Sequence, residues 1–233
     1  MDDSKRAAIA TLRAKGLPPK AIARQLGLRP AEVSAALQQA AATSAPIADD
    51  DLPVVACLIS PGWSVGLGLE GAPPEWSDLD AVDGAGVRGL ASILIARRRR
   101  YGDLRVAGFL TDVYCLGVKD AFPSRNIEAD QLSTFASTYF RAYESQPIEI
   151  PFSLAQALIL GAVEYARALG FSPHPDFEGA RSLVGTLSGP SPIVFGDRGK
   201  PHFVNGPHDD IEKVIATLRA SVGEGNFGMT VLG

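Results

Sequence analysis

The sequence predicts an α+β protein: a small all-α three-helix domain at the N-terminus, then an α+β domain whose antiparallel hairpins are covered by helices. Three observations carry this expectation. Apolar residues recur at helical spacing through residues 5–37, with Gly27 as the break between two short segments. Short, β-branched apolar runs follow at residues 54–60, 90–99 and 104–116. From Ile127 the helical period returns, with Leu132, Phe135, Tyr139 and Tyr143 on one stripe.

The N-terminal segment reads as three packed helices. Lys5 to Lys15 offers Ala8, Ile9 and Leu12 on one face. Pro18 and Pro19 open a second helix through Leu26, since proline fits the first turn, where an amide partner is missing anyway. Ile22 and Leu26 share a face, and Ala23 between them is small enough for another helix to cross closely. Gly27 ends this helix in the left-handed conformation that glycine adopts cheaply. Pro30 then starts a third helix, with Val33 and Leu37 turned back toward the second.

Residues 5–40 thereby resemble the helix-turn-helix of site-specific recombinases and sigma-factor-like regulators. The recurring phrase there is IAxxLGxxxxxVxxxL, and Ile22, Ala23, Leu26, Gly27, Val33 and Leu37 occupy its slots. The resemblance implies a double-stranded DNA partner, with the helix from Pro30 presented to the major groove. The positions it turns outward are Arg29, Ala31, Glu32, Ser34, Ala35 and Gln38. Together with Lys20 and Arg24, Arg29, Ala31, Glu32, Ser34 and Gln38 form the expected DNA-binding set. Residues 54–210 resemble an uncharacterised bacterial family through the phrases DVYCLGVKDAF, EYARALGFSPHPDF and FGDRGKPHFVNGPHDD.

Charge is divided unevenly along the 233 residues. Residues 1–45 hold seven Lys or Arg against three acidic residues, a balance of +4, while the remainder holds 15 basic and 23 acidic residues, a balance of −8. A basic head on an acidic body favours phosphate contact by the head alone. With 46% hydrophobic residues the chain can bury a core. Cys57 and Cys115 lie in apolar runs and read as reduced core thiols. Met1-Asp2-Asp3 carries no signal-peptide pattern, and no apolar run approaches the ~18 residues of a membrane span. A cytoplasmic protein, with no membrane partner and no resident cofactor, is expected.

The expected organisation is a helix-turn-helix domain at 1–42, a linker at 43–53, an α+β body at 54–222 and a flexible tail at 223–233. Residues 61–89 form a long Gly- and Pro-rich connection. Its GxGxxG at 66–71 runs into Pro73 and Pro74 where a phosphate-binding helix should begin, and Asp78, Asp80 and Asp83 have the wrong spacing for a calcium loop. Tyr101-Gly102-Asp103 turns the first hairpin, placing Arg97 to Arg100 at its end, on alternating sides and solvated. Two helices are expected at 152–169 and 176–184. A second hairpin would pair 193–195 with 202–204, and Asp209 would cap a last helix through a capping box with Glu212.

Candidate chemistry in the body is sparse. His174, His202 and His208 with Asp176, Asp209 and Asp210 supply metal-ligand types if their loops meet, though their spacing matches no known site class and the expected metal set is none. Asp112, Lys119 and Asp120 could serve phosphodiester chemistry. A half-exposed strand would instead leave Asp112 facing solvent, with Lys119 and Asp120 in the exit turn. No catalytic residue is assigned. The composite expectation is a transcription-regulator-like, dimeric DNA-binding protein; the alternatives are a metal-dependent nucleic-acid-processing enzyme and a protein-interaction adaptor.

Overall fold

The computed structural model describes residues 2–43, 48–76, 88–99 and 102–231. Asp78, Asp80, Asp83 and Arg100 lie outside the described residues, as does the side chain of Gln38.

The N-terminal segment forms α1 (Asp3–Ala14), α2 (Pro19–Leu26) and α3 (Pro30–Thr43). Asp2 caps α1 by accepting the Ser4 amide, and Pro18 and Pro19 stand at the cap and first position of α2. Gly27 closes α2 at φ 64°, where a side chain would be strained. Ile9, Ile22, Ala23, Val33 and Ala36 make a closed core, flanked by Leu12, Leu17, Leu26, Leu28 and Leu37. The three helices thus bury the residues that their spacing selects.

The body is built on one antiparallel sheet in the order β4-β3-β2-β1-β5. Its strands are β1 (Val54–Ile59), β2 (Leu90–Arg98), β3 (Leu104–Asp112), β4 (Gly117–Ile127) and β5 (Ile148–Glu149). Seven consecutive residues of β2 are buried because helices cover both faces. On one face Ile93, Ile95, Ala107 and Phe109 meet α5 (Phe152–Ala168) and α6 (Phe177–Val184). On the other, Leu94 meets Ala136, Phe140 and Tyr139 of the α4 (Leu132–Tyr139) region. Tyr143 lies beyond the end of α4 but still packs there, its hydroxyl 2.7 Å from Ser92 Oγ.

A third cluster, with Cys115, Leu169, Phe203, Val214 and Leu218, joins α7 (Ile211–Val222) to the sheet's turn. Here the second hairpin is corrected. β6 (His202–Val204) pairs in parallel with β7 (Gly228–Thr230), whereas Val194 bridges to Gly68 and only Asp197 and Lys200 bridge across the intervening tip. The tip is too tight for a regular hairpin: Gly196, Arg198 and Gly199 all have positive φ. Residues 228–230, placed in the tail by their sequence, are therefore a strand. Among the described residues no helix is long and apolar enough to cross a membrane.

Two polar residues of the body depart from expectation. Arg97 is only 4% exposed. Its guanidinium donates to the carbonyls of Leu183, Asp50 and Leu52 at 2.9, 2.9 and 2.6 Å, and lies 4.5 Å above the Phe152 ring. The arginine run does alternate, with Arg98 exposed, but its inward member is a buried staple rather than a solvated turn residue. The aspartates of the expected linker take part: Asp49–Asp51 forms a 3-10 turn, and Asp49 pairs with Arg105 at 3.3 Å and with Ser182 at 2.9 Å.

Candidate functional site

Two regions gather chemistry-bearing side chains. On the head, Lys20, Arg24, Arg29, Ala31 and Ser34 are exposed, as their outward positions require. Glu32 is half-buried and acts locally. Its carboxylate accepts the Arg29 amide at 2.9 Å and pairs with the Arg29 guanidinium at 3.1 Å, bracing the start of α3. The hydrogen bond to Arg29 lowers the Glu32 pKa and that to Glu32 raises the Arg29 pKa. The cation at the head of α3 is therefore partly neutralised by a neighbour three residues on.

In the body, a cleft of about 460 Å³ opens between the start of β4, the loop after α5 and the start of α7. Its lining includes Lys119, His174, His208, Asp209, Asp210 and Lys213. Four members of the expected His/Asp group thus meet at one cleft. His202 does not join them: its Nε2 lies 2.9 Å from Thr230 Oγ1 on the β6–β7 pair. Asp209 is bound otherwise than its sequence position suggests. It pairs with Lys119 at 2.5 Å and accepts the Gly206 amide at 2.7 Å, leaving Asp210 to cap α7 by accepting the Lys213 amide. The cap sits one residue later because Asp209 is taken by a partner 90 residues away in sequence.

Lys119 and Asp120 belong to β4, not to a turn. The ladder pairs Leu110 with Asp120 and Thr111 with Val118, so Lys119 is an extra residue in a bulge. The bulge re-aims the strand, with Val118 buried, Lys119 turned to the cleft and Asp120 exposed. His174 Nδ1 stands 3.9 Å from Asp120 Oδ1 and 3.9 Å from Asp176 Oδ2. Among the described residues this trio has the separations a metal ion can span, all within 4.8 Å.

Asp112 is corrected most strongly. It is 3% exposed, at the end of β3, and its Oδ1 accepts the amides of Tyr114 and Cys115, each at 2.9 Å. The carboxylate closes the turn into β4 instead of facing solvent. Burial pushes its pKa up to about 6, against the backbone hydrogen bonds and the charge of Lys119. Enclosed in this way, it offers no open position to a phosphodiester or its metal. Cys115 and Tyr165 are raised by the same burial, which removes them as nucleophiles near neutral pH.

The GxGxxG of 66–71 borders a smaller cleft of about 350 Å³ with Glu70, Val194, Arg198 and Gly199. No helix of the phosphate-binding kind follows it; Pro74–Trp76 is a single 3-10 turn.

Comparisons with protein-family models, with curated proteins and with solved structures find no match for the chain.

Proposed function

We propose that this chain is a double-stranded DNA-binding protein of the regulator type, in which the three-helix head grips the duplex and the α+β body dimerises or senses. The observation that carries this reading is the pairing of a closed α2–Gly27–α3 corner with an exposed, net basic outer surface. Such a corner lets α3 enter a groove while Lys20 and Arg24 on α2 approach the backbone. Ala31 and Ser34 are short and offer little base discrimination, so most of the affinity comes from phosphates. A homodimer would supply the second half-site that a head this small needs.

Fluorescence anisotropy with a labelled duplex at low salt tests the proposal. Changing Lys20 and Arg24 together to Ala should weaken binding about tenfold and reduce the salt slope by about two ions. Glu32→Gln should move affinity the other way, by about threefold, because it keeps an acceptor for the Arg29 amide while releasing that guanidinium. Equal affinity in all three proteins would reject the assignment.

A further inference from the structure

We propose that Asp120, His174 and Asp176 form a binding site for a divalent cation such as Mn²⁺ or Zn²⁺ at the rim of the body cleft. It stands independently of the DNA-binding reading, because it lies wholly in the body.

The first support is the polarity of the trio. The Asp176 amide donates to His174 Nδ1 at 3.3 Å, so Nδ1 carries the lone pair and Nε2 the proton in the neutral ring. Three acceptors, two of them anionic, then face one another with only a long backbone N–H among them. A cation resolves that repulsion.

The second support is the behaviour of Asp176. It occupies the N-cap of α6, where an aspartate ordinarily accepts a backbone amide, yet it makes no capping hydrogen bond. Its carboxylate is turned to His174 instead.

The third is rigidity on both sides. The His174 amide donates to the Val118 carbonyl at 2.8 Å, fastening the loop to β4 two residues before Asp120. The bulge at Lys119 then turns Asp120 outward beside the ring. Donors around these ions stand about 3–3.5 Å apart, given bonds of about 2.0–2.2 Å. The 3.9 Å separations therefore need only small side-chain rotations to close.

One imidazole and two carboxylates suit Mn²⁺ or Zn²⁺ better than a thiophilic ion, and three protein ligands leave positions open. Because His174 also lines the cleft, the open positions would border the space shared with His208 and Lys213.

The test is titration of the tag-free, chelator-stripped full chain with Mn²⁺ and, separately, Zn²⁺, read by calorimetry and by pulsed electron paramagnetic resonance of the Mn²⁺ form. One ion should bind with a dissociation constant on the order of 10 μM, with a ¹⁴N coupling from the coordinated ring. His174→Ala should abolish the coupling and weaken binding at least about tenfold, as should Asp120→Asn combined with Asp176→Asn. His202→Ala should bind as the parent does. Circular dichroism of each variant separates loss of ligand from loss of fold. No saturable binding below about 1 mM, or a nitrogen coupling that survives in folded His174→Ala, would overturn the site.

Discussion

Replacing Arg97 by Ala should lower the unfolding free energy by about 3–5 kcal/mol, the largest loss expected from any single side chain outside the apolar core. The guanidinium satisfies three carbonyls from two separate segments, the 49–52 turn and the end of α6, in a position almost closed to water. Removing it leaves those acceptors without their charged donor and strips a face from the Phe152 ring. Lysine cannot substitute, since one ammonium does not reach three carbonyls in a fixed plane; Arg97→Lys should still cost about 2–3 kcal/mol. Arg98→Ala, at the next and exposed position, should stay within about 0.5 kcal/mol of the parent. Urea unfolding of the three variants measures the contrast. Equal midpoints for Arg97→Ala and Arg98→Ala would show that the staple contributes nothing.

At Asp112 two substitutions should act in opposite directions. The folded-state pKa of about 6 lies above the ordinary carboxylate value of 3.8, so the folded chain holds the proton more tightly than the unfolded chain. Stability from this group is therefore greatest below about pH 4 and falls as pH rises toward 6, by on the order of 3 kcal/mol in all. Asp112→Asn keeps an oxygen for the Tyr114 and Cys115 amides and removes the buried charge. It should raise stability at pH 7.5 by about 1–2 kcal/mol and flatten the slope between pH 4 and 7. Asp112→Ala leaves both amides unpaired inside the protein and should cost about 2–4 kcal/mol at every pH. Thermal melts across pH 4–8 decide between them. If Asn is as damaging as Ala, it is the charge and not the acceptor that holds the turn.

These two residues also mark where sequence patterns stop being informative. Local signals were sufficient for the elements. The corner at Gly27, the run 54–60 that yields β1 (Val54–Ile59) and the stripe that yields α5 (Phe152–Ala168) each depend on neighbours a few residues away. Arg97 is different. In a run of four arginines nothing local distinguishes the one that is buried; its partners arrive from the 49–52 turn and from α6, 86 residues on. Lys119 and Asp209 meet across an equally long separation, which is why the cap of α7 falls on Asp210. β6 is three residues long and finds its partner at Gly228–Thr230, beyond a helix, so spacing favoured the nearer but incorrect pairing with 193–195. Asp112 did leave a trace. An acidic residue at a strand end, just before a turn, is a candidate to accept the turn's amides, although alternation alone points it outward.

The same limit applies to the candidate sites. Exposure of Lys20, Arg24 and Arg29 follows from helical spacing, whereas the neutralising contact from Glu32 required side-chain geometry. Grouping His174 with Asp176 was legible from their two-residue separation. Asp120 joins them only because a bulge, invisible in the residue types, turns it outward.

The division of labour between a basic head and an acidic body is tested most directly by a salt titration of duplex binding. The full chain should be compared with residues 48–233, which retain the 3-10 turn that Arg97 fastens. The full chain should bind at low ionic strength with log affinity falling linearly against log salt, and the headless protein should show no binding over the same range. Headless protein that binds the duplex as tightly as the full chain, with the same slope, would contradict the account.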